Sequence, residues 1–409
     1  MHVVILGNGI AGVTAARHVR KADPAARVTM VSDETADPYA RTALMYVYMG
    51  VLTQAHTHLY AERFWAENRI DRVFDRAEAL DVERGVVHLR DAGPLGYDRL
   101  LIATGSWPVL PDWPGARLGG VQGLYGLGDL DRMEADTRGV TEAVVVGGGL
   151  IGVELAEMLR TRGVGVTFLV REARYLPRVF SADESALVEA EIRRHGADLR
   201  LGAEVAAIEG AARAEAVVTA DGERVEAGFV GVGTGVRPNV AWLEGSGVEV
   251  GRGVLVDETL AASVPGVFAA GDCAELRDPP AGVRAVEPIW YTARMQGATA
   301  GLGLVGRPRT YVPGVFFNSA KFFDLEYQVY GATGLLVSGP EADWEWSDGR
   351  RSLRVRHEAG VVRGVSALGV RLRQETCTRW IEEAWPIDRA LADLDSARFD
   401  PEFSPALAV

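Results

Sequence analysis

The residues with the clearest chemical capacity are glycines. Gly7-Asn8-Gly9-Ile10-Ala11-Gly12 follows a short apolar run, His2 to Leu6, and precedes a helical pattern reaching about Arg20. In the order strand, GxGxxG, helix, free backbone N–H groups at a helix N-terminus meet phosphate oxygens. Gly7 makes the turn, Gly9 admits a pyrophosphate close to the backbone, and Gly12 lets the helix pack on the strand. A second strand, Val28 to Val31, leads to Ser32-Asp33-Glu34. An acid about 20 residues past the glycines accepts hydrogen bonds from ribose hydroxyls; Asp33 fits best, with Glu34 beside it. A lone GxGxxG is a weak signal. With strand, helix and acid in register it predicts a nucleotide site.

The whole unit recurs. Ala143 to Val146 is a strand, Gly147-Gly148-Gly149-Leu150-Ile151-Gly152 the turn, Val153 to Arg162 the helix, and Val164 to Val170 the next strand. Two such units imply two dinucleotides in two domains, the need of an enzyme passing hydride from NAD(P)H to FAD. The choice between NADH and NADPH is mixed. Gly152 as the third glycine suits NADH, but Val170 replaces the usual ribose-binding acid, and Arg171, Glu172 and Arg174 follow. Arginine grips a 2′-phosphate that an acid repels, so the reading leans slightly to NADPH.

Positioning these motifs takes two or three domains, and 409 residues suffice for each to bury a core. The formal charge of −13 argues against nucleic acid and anionic membrane as partners. No run approaches the 18 or so apolar residues of a membrane span. The chain enters its first motif at once, leaving no room for a signal peptide, so the expected compartment is the cytoplasm. Cys273 and Cys377 are the two cysteines, too far apart in sequence to suggest a disulfide framework.

Two further segments sharpen the reading. Tyr97 to Gly105 is a strand ending in Ala103-Thr104-Gly105, and Val264 to Ala274 is another ending in Gly271-Asp272. With both glycine motifs, at this order and spacing, they resemble the FAD-dependent pyridine nucleotide–disulfide oxidoreductase superfamily over about residues 1 to 335. The resemblance implies an α/β fold with two Rossmann-like, glutathione-reductase-type domains, the second inserted in the first. It places the FAD domain at 1–112 and 240–312, the NAD(P) domain at 113–239 and an α+β interface-type domain at 313–409. A homodimer is compatible with that plan. Asp272 is expected to bond the flavin ribitol or phosphate, and Gly233 to join the second glycine motif at NAD(P)H. Cys273, just past the motif, reads as structural.

Many superfamily members carry a redox-active thiol in the segment Pro38 to Gly50, which here reads PYARTALMYVYMG. It has no cysteine. It resembles instead the PYxRPxLSK/Y segment of ferredoxin reductases, rubredoxin reductases and the flavin domain of assimilatory nitrite reductases, matching at Pro38, Tyr39, Arg41 and Leu44. Arg41 is thereby implied over an FAD phosphate. Thr42 and Met45 depart from the pattern, and Tyr46 stands where many relatives have lysine near the flavin N5. Without a thiolate there is no nucleophile for a disulfide, so electrons reaching the flavin should leave it directly. The resemblance implies that NAD(P)H docks on Gly147, Gly149 and Gly152, that Glu154 touches the nicotinamide carboxamide, and that Trp290 stacks near the flavin. The expected acceptor is a small iron–sulfur carrier protein. The alternatives are an NAD(P)H oxidase or diaphorase using oxygen or quinone, and a flavin-bearing NAD(H) sensor or scaffold.

Phe317 to Leu325 resembles the K-x-F-D-L strand of the interface domain. Beyond Gly331 two β-like runs and a helical stretch, Gln374 to Leu394, interrupted near Pro386, are expected, then an extended tail. Arg350, Arg351, Arg354, Arg356, Arg363, Arg371, Arg373 and Arg379 crowd this region against only Glu358 and Glu375. That is either a solvated face or a surface for an acidic ferredoxin. His56 and His58 lack an acid or thiol partner and read as surface residues at a helix entry; no metal site is expected.

Overall fold

The computed structural model describes residues 1–280, 282–334, 341–402 and 407. The chain forms two compact units. The first comprises Met1–Val109, Tyr125–Asp131 and Val236–Pro313; the second comprises Leu110–Leu124, Arg132–Gly235 and Gly314–Val409. Four helices position the sites: α1 (Ile10–Ala22), α2 (Leu150–Thr161), α3 (Ala182–Arg194) and α4 (Trp290–Leu304).

The first unit is built on a parallel sheet in the order Val267–Ala269, Arg99–Ile102, His2–Leu6, Arg27–Ser32, Ile70–Phe74. Val3, Val4, Ile5 and Leu6 are all buried, the near-continuous apolar run of a parallel strand covered on both faces. α1 buries Ala11, Val13, Ala15, Ala16 and Val19 and ends in Arg20 and Lys21, which suit the negative end of its dipole. α4 crosses α1 at backbone contact. A Cβ on Gly297 would stand 2.3 Å from the Ala11 carbonyl oxygen, and one on Gly301 would stand 2.8 Å from that of Ala15.

The second unit repeats the plan, in the order Ala197–Leu201, Gly165–Val170, Glu142–Val146, Phe229–Val232, Val121–Gln122, all parallel. α3 starts in a capping box, Ser181 and Glu184 each accepting from the other's backbone N–H. The same unit holds an antiparallel sheet in the order Phe317–Phe322, Leu325–Gly331, Val361–Leu368, Ser352–Glu358, Glu341–Ser347. Two of its strands fall on the expected β-like runs. The expected helical stretch divides into Gln374–Glu382, Ile387–Ala392 and Leu394–Ala397, with Pro386 capping the second piece. Proline there removes a donor the helix interior needs. The fold class read from the sequence holds: a mixed α/β chain with two Rossmann-like sheets. No helix among the described residues is long and apolar enough to cross a membrane. The expected extended tail lies partly outside the described residues.

The C-terminal arginines do not form the unopposed patch that local sequence suggested. Arg354 is buried against Glu184, Arg356 pairs with Asp343 at 2.8 Å and Arg351 with Asp348 at 2.8 Å. Arg371 meets Glu326 at 2.5 Å, Arg363 meets Glu358 at 3.1 Å, and Arg379 meets Asp393 at 3.5 Å. Glu184, Asp343, Glu326 and Asp393 come from other strands and helices, while Asp348 and Glu358 lie close in the chain, so the positive field is weaker than the run of arginines implies. His56 does sit at a helix entry, closing a capping box with Thr53.

Candidate functional site

In the first unit, two glycines of Gly7-x-Gly9-x-x-Gly12 are dictated by the protein itself. Gly7 has φ +108°, and a Cβ on it would stand 2.1 Å from the Ala103 carbonyl oxygen. A Cβ on Gly12 would stand 2.0 Å from the Gly7 carbonyl oxygen. Gly9, at the N-cap of α1, has nothing within 4 Å of its missing Cβ. A bare backbone facing open space at a helix N-terminus is a cradle for a pyrophosphate. Ile10 and Ala11 open the helix behind it.

The surrounding loops converge on the same sheet edge. Ala103 donates its N–H to the Leu6 oxygen at 2.8 Å, and the Thr104 hydroxyl donates to the Asn239 oxygen at 2.8 Å. Gly271 donates its N–H to Gln296 Oε1 on α4 at 2.8 Å. Asp272 accepts from the Ser106 hydroxyl at 2.7 Å, and burial pushes its carboxyl above the ordinary aspartate range. The Ser106 N–H in turn donates to the Tyr125 hydroxyl at 2.8 Å, beside Gly105.

Arg41 and Glu34 lie together. Arg41 Nη2 is 2.6 Å from Glu34 Oε2, while Nη1 donates to the Tyr39 hydroxyl and the Tyr125 carbonyl, each at 2.9 Å. The guanidinium also lies 4.3 Å from the centre of the Tyr125 ring, a cation–π contact. Burial alone would raise the Glu34 carboxyl; Arg41, Tyr39 and the Leu127 N–H outweigh it and hold it below the usual range. Asp33 is more exposed and faces Arg76 at 3.6 Å. The sequence points to Arg41 and Glu34 separately and to Tyr39 only as a motif match, and it gives no sign of Ser106, Tyr125 and Gln296, ordinary polar residues distant in the chain. Tyr46 lies half-buried in the helix Leu44–Tyr48, and Trp290 opens α4 half-buried, edge-on to Tyr291 with centroids 5.3 Å apart.

Both cysteines are fully buried. Cys273 hydrogen-bonds the Ile102 carbonyl oxygen at 3.4 Å, and desolvation pushes its thiol up to about 11. Cys377 is likewise raised by burial. Neither is a thiolate near neutrality.

The second unit reproduces the first cradle. Gly147 has φ +111°, with a Cβ 2.4 Å from the Gly233 oxygen, and Gly152 would meet the Gly147 oxygen at 1.9 Å. Gly149 again is the open one, its nearest neighbour the Gly233 oxygen at 3.8 Å. Gly233 is locked in place by its own contact with the Gly152 nitrogen, 2.7 Å from the missing Cβ. The Tyr175 hydroxyl donates to the Gly149 oxygen at 3.2 Å and braces the turn from the far side. Leu150 and Ile151 form the first turn of α2 behind the cradle. Past the strand Gly165–Val170, Arg171 is exposed and pairs with Glu172 at 3.1 Å, while Arg174 turns back toward the Pro177 oxygen at 3.5 Å.

Glu154 lies one helical turn into α2, partly buried, and makes no hydrogen bond or ion pair among the described residues. Desolvation, then the nearby Glu157 carboxylate, pushes its carboxyl up to about 7, with Lys321 acting the other way. Glutamate at that value carries its proton about half the time at neutral pH. Elsewhere, Glu191, His195 and Asp324 lie within 4.8 Å of one another, but Arg194 supplies their counter-charge.

Two such cradles, each behind the carboxyl edge of a parallel sheet, define an oxidoreductase that uses two dinucleotides. Residues 1–297 match the family model described as pyridine nucleotide-disulphide oxidoreductase, and the chain belongs to that family. It is 33% identical over 307 residues to the biphenyl dioxygenase system ferredoxin–NAD(+) reductase component of Paraburkholderia xenovorans, covering 75% of each chain. It is 32% identical over 343 residues to the CoA-dependent NAD(P)H sulfur oxidoreductase of Pyrococcus furiosus, covering 81% of this chain and 76% of that one. Among solved structures, the ferredoxin reductase for the CYP199A2 system of Rhodopseudomonas palustris superposes with TM-score 0.83 at 26% identity, covering 90% and 91% of the two chains. The protein is an FAD-dependent NAD(P)H oxidoreductase.

Proposed function

We propose that the protein passes hydride from NAD(P)H to FAD and then electrons directly to a small carrier protein of ferredoxin or rubredoxin type. The observation that carries this reading is the state of its sulfur: two cysteines, both buried and both held as thiols. A thiol relay to sulfur, disulfide or peroxide substrates has no nucleophile here. The ferredoxin reductase relatives supply the alternative route.

In this reading FAD occupies the first unit and NAD(P)H the parallel-sheet part of the second, close to the division at 112, 239 and 312 except that Tyr125–Asp131 joins the first unit. FAD supplies the two-electron to one-electron conversion. The chain's residues bind and orient. Gly7, Gly9 and Gly12 hold the pyrophosphate of FAD, Asp33 and Glu34 its ribose side, and Arg41 a phosphate. Thr104, Gly271 and Asp272 hold its ribitol side, with Tyr46 and Trp290 beside the ring. Gly147, Gly149 and Gly152 hold the nicotinamide dinucleotide, and Glu154 orients its carboxamide. Arg171 and Arg174 favour NADPH, because guanidinium forks match a 2′-phosphate.

With six of the eight C-terminal arginines paired to acids, the carrier's docking surface falls elsewhere. Arg284, Arg294, Arg307 and Arg309 are exposed, and none forms an ion pair among the described residues. The acid in that stretch, Glu287, is buried and accepts from the Thr292 hydroxyl at 3.0 Å. On a chain of net charge −13, exposed arginines of this kind suit an acidic partner.

The test is anaerobic reduction by NADH and NADPH separately, followed by addition of an acidic [2Fe–2S] ferredoxin with cytochrome c as final acceptor. Rapid cytochrome reduction that depends on ferredoxin is the expected result. Steady NAD(P)H consumption under air without ferredoxin, releasing peroxide, would identify an oxidase instead.

A further inference from the structure

Glu154 and Glu157 lie three residues apart on α2, so their side chains share one face of the helix. Onto that face the antiparallel sheet of the same unit delivers one cation, Lys321, from the strand Phe317–Phe322. Lys321 Nζ is 2.5 Å from Glu157 Oε1, and the pair is largely buried, with side-chain exposures of 26% and 9%. The neighbouring residue Phe322 packs edge-on to Tyr175 with centroids 5.9 Å apart, and Tyr175 packs in the same way on Phe168 at 6.1 Å. These rings pack the strand against Tyr175, whose hydroxyl reaches the Gly149 oxygen at the start of α2.

We propose that Lys321 is a positioning residue that governs the protonation of Glu154 through its ion pair with Glu157. The inference rests on the reading that Glu154 orients the nicotinamide carboxamide. A neutral carboxyl both donates and accepts, matching the carbonyl oxygen and the NH2 of a carboxamide together, whereas a carboxylate only accepts. The balance that decides between them is local. Glu157 charged raises the proton affinity of Glu154, and Lys321 lowers that of both. Asp324 pushes Glu157 up and His195 pulls it down from farther off, and the Tyr175 hydroxyl stays protonated beside Glu154. The C-terminal sheet thereby contributes the cation that sets the working pH of a nicotinamide site built on the other sheet of its unit.

The experiment is stopped-flow reduction of the holoenzyme flavin by NADH from pH 5.5 to 9, with Kd for NADH measured alongside. In the wild type the reduction rate falls as pH rises through about 7. Glu157→Gln removes the like charge and should move the midpoint down by roughly one pH unit, a tenfold change in proton affinity. Lys321→Met should move it up by a similar amount, and Lys321→Arg should restore it. Opposite displacements by two partners of one ion pair are not expected of a merely structural contact. Glu154→Gln separates the two ideas. If its profile keeps the wild-type midpoint, Glu154 is not the titrating group and both readings fall. If Glu154→Gln flattens the profile while Glu157→Gln and Lys321→Met leave the midpoint in place, only the Lys321 proposal is overturned.

Discussion

Arg354 and Glu184 meet in the interior of the second unit, Nη2 to Oε2 at 2.9 Å, with side-chain exposures of 2% and 0%. Arg354 also donates to the Thr333 oxygen at 2.9 Å, the Val179 oxygen at 3.0 Å and Asp343 Oδ2 at 3.5 Å, so its fork is spent on four acceptors. Glu184 belongs to α3 beside the nucleotide-binding sheet, and Arg354 to the antiparallel sheet, so the pair ties the two sheets together.

Removing one partner of such a pair strands the other charge. Arg354→Met should cost about 3–5 kcal/mol by urea denaturation. The double change Arg354→Met with Glu184→Leu should recover a large part of that loss. If the single change costs under 1 kcal/mol, the pair is not the link described.

The glycines of the first cradle divide into two kinds. Gly7→Ala forces a Cβ into the Ala103 carbonyl at positive φ and should destabilise the fold by at least ~2 kcal/mol. Gly9→Ala has room in the protein, so the apoprotein should keep its melting temperature while FAD binding weakens tenfold or more. Fluorescence titration of the apoproteins with FAD, beside thermal melts, checks both.

Glu154 also links pH to stability. Its carboxyl is raised to about 7 in the folded chain, so the folded state holds a proton that the unfolded state releases near 4.5. Stability from that proton is fully present below about 4.5 and is lost as pH rises to about 7. Glu154→Gln should match the wild type at pH 4.5 and exceed it above pH 7, by roughly 2 kcal/mol. Equal stability at both pH values would contradict the burial assigned to Glu154.

Coenzyme choice should rest on charge past the strand Gly165–Val170. Arg171→Glu with Arg174→Ala should raise KM for NADPH tenfold or more and leave that for NADH within about twofold, as loss of a charge-assisted bond to phosphate requires. Equal effects on both coenzymes would remove the arginines from the 2′-phosphate.

Carrier docking separates the two groups of arginines. Arg307→Glu with Arg309→Glu should raise KM for ferredoxin about tenfold and flatten its salt dependence, leaving NADH–ferricyanide activity unchanged. Arg363→Glu, which alters a side chain already paired with Glu358, should change KM little.

The fold class and the geometry of both glycine turns could be read from the chain alone because their causes are local. A strand, a turn that only glycine can make and a helix N-terminus all fit within some twenty consecutive residues, and the same grammar occurs twice. The missing thiol in Pro38–Gly50 was equally a property of the string. Tertiary structure decided what depends on residues distant in sequence. It joined Arg41 to Glu34 and to a tyrosine 84 residues away, and it dispersed an apparent arginine patch by bringing acids from other strands. It also set Lys321 on a glutamate 164 residues earlier. Burial and charge act through space, so the protonation of Glu154 is fixed only once the sheets have closed around it.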